Sequence, residues 1–469
     1  MTFQTKKKEP YQRESDNRPK VDIPSNPILQ KLSSEPDIAV WNTVFDSFAK
    51  ANDTDTDVVE IIFDRGANEH QINQIYVPKL LNPEDEPVVR KYIATRLNNR
   101  CVLRGAKQIF ISAGWCRQIK DEVMTNYRQV PEMIFENFGT AVNEIIQPIP
   151  PGYAPPQPAP APEEEAQKSR QSGPVFGIDI GNTTTKLVIL NNQDLPVYQD
   201  TVPTRIDEHV RAEEFLEWLK SLIIEAINQR KSSIRSIGLS WFGDVREQRA
   251  LMQAASLRHF VRDGEDEVLA QMGDIISKRL KVPVVLTGDS EALGIFLSRQ
   301  KGFTKNYTLI FGTSIGGSYI NADGRYDGVS LPSRLIIEMS DKAFAHEATS
   351  TRGVLQQYAA SRGMTRLLQE IWLADLGNFP RNVGKYLDEC FASNDTERRT
   401  IASRVVGRLA EYLGRAIQEV SRFYEVDCVI LTGTSMSGKL GEAICQTTHG
   451  ILSERYSQSQ PDLLLADFD

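Results

Sequence analysis

The sequence predicts an α/β protein, and three stretches carry that prediction. Residues 175–190 (VFGIDIGNTTTKLVIL), 307–320 (YTLIFGTSIGGSYI) and 428–440 (CVILTGTSMSGKL) each run an apolar strand into a bend of Gly, Thr, Asn or Ser. Helical stripes fall between them. In residues 212–228, Phe215, Leu219, Ile223 and Ala226 share one side, and Ile401, Val405, Leu409, Leu413, Ala416 and Val420 make a longer stripe. Strands alternating with helices are the pattern of helices covering a sheet.

In the first stretch Asp179 ends one apolar run, and Gly181, Asn182, Thr183 and Thr184 form the turn before Lys186 and the return strand. Such a turn gathers N–H groups and hydroxyls, a nest that suits a phosphate tail, and a carboxylate at its edge can hold Mg²⁺ through water. An ordinary surface hairpin fits the same residues. The second stretch repeats the idea with Gly312, Thr313, Ser314, Gly316 and Gly317, followed by the hairpin dipeptide Asp323-Gly324. The third places Gly433 and Thr434 between a strand and a helix, where glycine lets a flat ring approach the backbone. Between the first two, the strand at residues 282–288 delivers Asp289 ahead of Ser-Glu-Ala-Leu. Asp289 therefore reads either as a helix N-cap or as a carboxylate in the crevice at the end of a strand.

At 469 residues the chain has room for two or three domains. A net charge of −8 argues against a general nucleic-acid binder. The five cysteines are scattered without metal spacing, as expected of free thiols in a reducing compartment. The first residues are basic and polar with no apolar core behind them, and no apolar run reaches the ~20 residues that span a bilayer. A cytoplasmic protein is expected, with no membrane partner.

Residues 1–36 are polar and aperiodic, and a disordered tail is expected there. Residues 37–147 read as a small α/β domain of unassigned role. Val40, Trp41, Val44, Phe45 and Phe48 stand at helical spacing, residues 58–63 and 108–113 read as strands, and residues 87–98 as a helix with Val88, Tyr92 and Ile93 inward. Arg65-Gly66 and His70 read as a turn and a surface histidine. Residues 148–173 carry alternating prolines, a semi-rigid spacer expected to separate the first domain from residues 174–469.

Two Gly/Thr hairpins, a strand-end Asp between them and a late strand–Gly–helix turn, in that order, resemble the superfamily joining sugar kinases, actin and the heat-shock chaperone ATPases. Within it the chain resembles the ROK family (repressors, open reading frames and kinases). GIDIGNTTTK at residues 177–186 is similar to that family's first phosphate motif, and GTSIGGSYINADGRYDG at 312–328 to its second. Gly288-Asp289 resembles its Asn-Asp segment, and TRGVLQQYAASRG at 351–363 another of its segments. The resemblance implies a two-lobed actin-like (ribonuclease H-like) ATPase fold over residues 174–469. It also implies ATP with Mg²⁺ as cofactors and transfer of the γ-phosphate to a sugar hydroxyl. In that reading Asp289 is the base and Asp179 the metal residue. The bends at Gly181–Thr184 and Gly312–Gly317 take phosphates, Gly433 and Thr434 line the adenosine slot, and Gly243, Asp244, Gly288 and Glu338 face the sugar.

The chain departs from the family on the sugar side. Gly288 stands where the family has Asn, Ser240-Trp241-Phe242-Gly243 replaces a Pro-Gly turn, and the Gly-Glu-x-Gly-His contact matches only at Glu338, with Asp341 near the His position. No cysteine lies between His346 and Val354, so no structural zinc is expected. Three functions compete: a hexose or amino-sugar kinase, an ATP-binding regulatory or scaffold protein acting through its first domain (oligomeric or with a protein partner), and a repressor. The last needs a basic helix-turn-helix in front, which the first domain does not show.

Overall fold

In this computed structural model the described residues are 26–50, 56–64, 70–79, 81–106, 108–127, 146–153, 173–230, 233–243, 245–246, 248–250, 257, 260, 265–328, 330–347, 349–372, 378–455 and 461–466. They form a front unit and two lobes.

The front unit opens with helix α1 (Pro27–Leu32), which corrects the expected disordered tail over residues 26–36. Proline starts the helix without losing a bond, and the Asn26 side chain caps it by accepting from the amides of Ile28 and Leu29. Leu29 and Leu32 then bury in the unit's core. Helix α2 (Ile38–Lys50) buries Trp41 and Phe45, with Val44 and Phe48 packed partly against them, while Val40 is 41% exposed and leaves the predicted stripe. A four-stranded sheet backs the helices in the order β2-β1-β3-β4, with β1 Thr56–Asp64, β2 His70–Pro78, β3 Gln108–Ile111 and β4 Ile146–Pro148. Helices α3 (Glu86–Arg104) and α4 (Ala113–Asn126) complete it. The start of the predicted spacer is part of this unit: Ile149 N–H donates to Ile111 O at 2.9 Å, and the Tyr153 ring packs at a tilt against Phe110. Residues 154–172 of the spacer and Arg65-Gly66 lie outside the described residues.

The first lobe is a five-stranded sheet in the order β9-β8-β5-β6-β7, from β5 (Val175–Ile180), β6 (Thr184–Leu190), β7 (Pro196–Pro203), β8 (Ser236–Trp241) and β9 (Val284–Gly288). The predicted hairpin pairs Val175 with Leu190, and β5, β8 and β9 run parallel. Helices α5 (Ala212–Arg230) and α6 (Met272–Leu280) cover the sheet. Helix α7 (Asp289–Lys301) leads to the second lobe, whose sheet runs β11-β10-β12-β13: β10 Asn306–Phe311, β11 Ile315–Ile320, β12 Cys428–Thr432 and β13 Asp462–Leu465. Its helices are α8 (Ser361–Ile371), α9 (Val383–Ala392), α10 (Thr396–Phe423) and α11 (Gly438–Arg455). All six residues of the predicted stripe on α10 are buried.

The front unit is not held apart by the spacer. Its α3 delivers Val102 and Leu103 into the second lobe's core, and that lobe's Ile336, Met339 and Val354 enter the front unit's core. Buried charges cross the same seam. Arg96 and Asn99 of α3 and Asn42 of α2 all donate to the fully buried Glu419 carboxylate of α10. Arg415 of α10 lies 3.2 Å from Asp37 and 3.1 Å from Glu338. Such charges are tolerated inside a protein only when paired, so they fix one docking geometry.

Candidate functional site

Three parallel strands of the first lobe end side by side, with Ile180 opposite Trp241 and Trp241 opposite Gly288. Asp179 sits one residue back, opposite Ser240, which in turn is opposite Thr287. One carboxylate oxygen accepts from Ser240 Oγ at 2.9 Å, and the other is 3.5 Å from Lys186 Nζ. Both side chains of this ion pair are substantially exposed, so water screens it. The Gly181–Thr184 bend closes by the Gly181 amide donating to Thr184 O at 3.0 Å. A Cβ at Gly181 would stand 2.7 Å from that oxygen, which explains the glycine. Asn182, Thr183 and Thr184 are exposed around the bend.

Asp289 is the first residue of α7, and Gly288, not Asp289, occupies the N-cap position. Its Oδ1 accepts from the Ser290 amide at 2.6 Å and Ser290 Oγ at 3.0 Å. A carboxylate there is favoured by the helix dipole. Two residues on, burial raises the Glu291 carboxyl above its ordinary range.

From the other lobe, the β10–β11 bend closes with the Gly312 amide donating to Ser314 O at 2.9 Å. Gly316 faces Ser290 so closely that a Cβ would overlap the serine hydroxyl, and a Cβ at Gly317 would stand 2.7 Å from Pro332 Cγ. The third bend joins the second: Gly433, at φ 106°, backs onto Phe311, and Ser361 Oγ donates to Gly312 O at 2.7 Å and lies 3.4 Å from Ser435 Oγ.

The two lobes thereby enclose a cleft of about 320 Å³. Phe242, Gly243, Gly288, Asp289, Ser290 and Glu291 line one side, and Gly312, Thr313, Ser314, Gly316, Gly317, Tyr326, Ser330, Leu331 and Ser333 the other. Of the residues singled out from sequence, Gly243, Gly288, Asp289 and the whole second bend meet there. Asp179 and the first bend are next in the row through Ser240 and the bond from the Phe242 amide to Ile180 O. Gly433 and Thr434 join through Ser435 and Ser361. Glu338 is placed outside the cleft lining, buried against Arg415 next to the front unit's Asp37. Asp244 lies outside the described residues. Glu291, Tyr326, Ser330 and Ser333 were not anticipated as lining residues. Glu291 had a signal, two residues past the strand-end Asp, and the serines outside the strands had none.

His346 is half-buried, its ring bonded to Thr349, and burial lowers its pKa below the ordinary 6.5. Among the described residues no group of three or more His, Cys, Asp and Glu side chains is placed to hold a metal ion, and no helix is long and apolar enough to cross a membrane.

The sequence model of the ROK family matches residues 175–468. No curated protein matches the chain. Among solved structures, a ROK hexokinase from Thermus thermophilus is 19% identical with a TM-score of 0.49, over 63% of this chain and 93% of that one. A ROK family glucokinase from Streptomyces griseus, in complex with glucose and AMPPNP, is 18% identical with a TM-score of 0.44, over 63% and 94%. A ROK family transcriptional regulator, homologue of the E. coli MLC protein, is 14% identical with a TM-score of 0.50, over 63% and 74%. By this match over residues 175–468, which span both lobes, the chain belongs to the ROK family.

Proposed function

We propose that the protein is an ATP-dependent phosphotransferase that moves the γ-phosphate to a hydroxyl of a sugar-class acceptor. The observation that carries this reading is the meeting of Asp289 and the Gly312–Gly317 bend in one cleft, with Ser290 packed on Gly316. Phosphoryl transfer asks mainly for positioning and charge neutralisation. The amides of the two glycine bends hold the β- and γ-phosphates, and Gly433 and Thr434 border the adenosine. Asp289 takes the acceptor proton as its oxygen attacks, with Ser290 fixing the carboxylate's rotamer. Asp179 offers an exposed carboxylate steadied by Ser240, a donor set that fits a water-bridged Mg²⁺, which supplies charge neutralisation when bound. Five free cysteines, four of them buried, suit a reducing cytoplasm.

One observation favours a regulatory reading instead. Glu338, the carboxylate that the family resemblance assigns to the sugar, is committed to Arg415 beneath the front unit and does not line the cleft. ADP release measured with the full-length protein across hexoses, amino sugars and their derivatives separates the two. Acceptor-dependent turnover that is lost in Asp289→Asn supports the kinase. Nucleotide binding with no turnover on any acceptor supports the regulator.

A further inference from the structure

We propose that the front unit is a working part of the cleft wall, and that Asn99 and Arg104 of its helix α3 are positioning residues for the acceptor. This rests on reading the Ser330–Ser333 side of the cleft as the acceptor side. Ser330 and Leu331 lie in irregular chain and Ser333 in a single 3-10 turn (Pro332–Arg334), so none of them sits in a strand ladder of their own lobe. Their backbone is held from the front unit. Ser330 N–H donates to Leu103 O at 2.8 Å, and Leu331 N–H to Val102 O at 2.8 Å. Leu103 O also accepts from Tyr424 OH, which ties the same carbonyl to the end of α10.

The segment is pinned on both flanks of these two bonds. Upstream, Arg104 pairs with Asp327 at 2.7 Å and also donates to Phe423 O. Downstream, the Asn99 amide imitates a neighbouring strand: its oxygen accepts from Ile336 N at 2.8 Å and its nitrogen donates to Ile336 O at 2.9 Å. Asn99 is fully buried and shares its nitrogen with Glu419 at 2.8 Å. Further on, Met339 N–H donates to Pro36 O at 2.6 Å. The stretch from Ser330 to Met339 is therefore held on one side by a surface about 230 residues upstream and on the other by its own lobe, where Ser330 Oγ donates to Tyr307 OH at 2.9 Å and Ile337 N–H to Gly353 O at 2.9 Å. The front unit helps to set the position of Ser330 and Leu331, and through them the turn that carries Ser333, by direct docking. Neither Asn99 nor Arg104 lines the cleft.

The test uses the full-length protein with Asn99→Ala and, because Asn99 is fully buried, Arg104→Ala, whose side chain keeps 21% exposure, as a second variant. Two readouts are taken: amide hydrogen exchange, and steady-state constants for acceptor and ATP on the acceptor found in the sugar panel. In both variants, exchange at Ser330, Leu331 and Ile336 is expected to quicken about tenfold or more, while β5 and β8 keep their protection. Acceptor KM is expected to rise about tenfold, with kcat and the KM for ATP within about twofold, a coupling of the usual size between packed elements. Unchanged exchange at the three amides in both variants would overturn the proposal. So would protection lost evenly across both lobes, or kcat falling with acceptor KM unchanged. If the parent protein phosphorylates no acceptor, the kinase reading fails by itself, and the exchange readout alone decides whether the front unit shapes the wall.

Discussion

Gly316→Ala tests how closely the start of α7 packs on β11. A Cβ at Gly316 would overlap Ser290 Oγ, whereas the next nearest atoms are Ser290 Cβ at 3.5 Å and Ile310 Cβ at 3.8 Å, both ordinary contacts. The whole clash is one hydroxyl. That hydroxyl donates to Asp289 Oδ1 at 3.0 Å, so displacing it removes one of the two Ser290 bonds that fix the carboxylate. Overpacking of this kind costs about 1–3 kcal/mol, and Gly316→Ala is expected to lose that much in equilibrium denaturation. Acceptor-dependent ADP release should fall with it, because Asp289 loses its side-chain donor. Adding Ser290→Ala removes the atom that clashes, so the double variant should regain most of the stability. The two changes should show a favourable coupling of at least about 1 kcal/mol, within the range for residues in contact. Additive losses, with the double variant weaker than either single one, would refute the geometry.

Other expectations concern the charges. Asp289→Asn should lower acceptor-dependent turnover by about 10²–10⁴-fold, the usual contribution of a positioned base, while calorimetry shows nucleotide binding unchanged. Glu291 is a carboxyl whose folded pKa is raised by burial, so its stabilising contribution is present below the unfolded value of 4.5 and lost as pH rises through the folded one. Glu291→Gln should therefore be more stable than the parent at pH 7, by a margin that narrows as the pH is lowered toward 4.5; a margin constant with pH would contradict this. Arg415→Met leaves Asp37 and Glu338 buried without their cation and should cost about 3–5 kcal/mol in urea denaturation, with a loss below 1 kcal/mol showing the seam to be wetter than described.

What the sequence made legible was local. Each glycine bend states its own geometry in a few adjacent residues: Gly181 must avoid Thr184 O, and Gly433 must adopt a positive φ. Asp289 was legible because a strand end and a helix start flank it. The stripe on α10 was legible because six apolar residues repeat at helical spacing. Strand β2 was not, since HQINQIYVP has too many amides to read as a strand until β1 pairs with it from Thr56–Pro78 to Asp64–His70. Helix α1 is too short to show a period and is defined by a cap and two buried leucines. Glu338 misled because its partner, Arg415, stands 77 residues away, and the unit covering both was expected to hang on a spacer. Seams between distant segments depend on complementary surfaces, which no single window of sequence contains.

The most direct measurement is the unfolding midpoint of the full-length protein as MgATP is titrated. A nucleotide seated between the lobes should raise it steadily, by the equivalent of about 2.7 kcal/mol at a hundredfold excess over Kd, in the parent and in Asp289→Asn alike. A midpoint that stays flat at millimolar MgATP would contradict the claim that this cleft takes a nucleoside triphosphate.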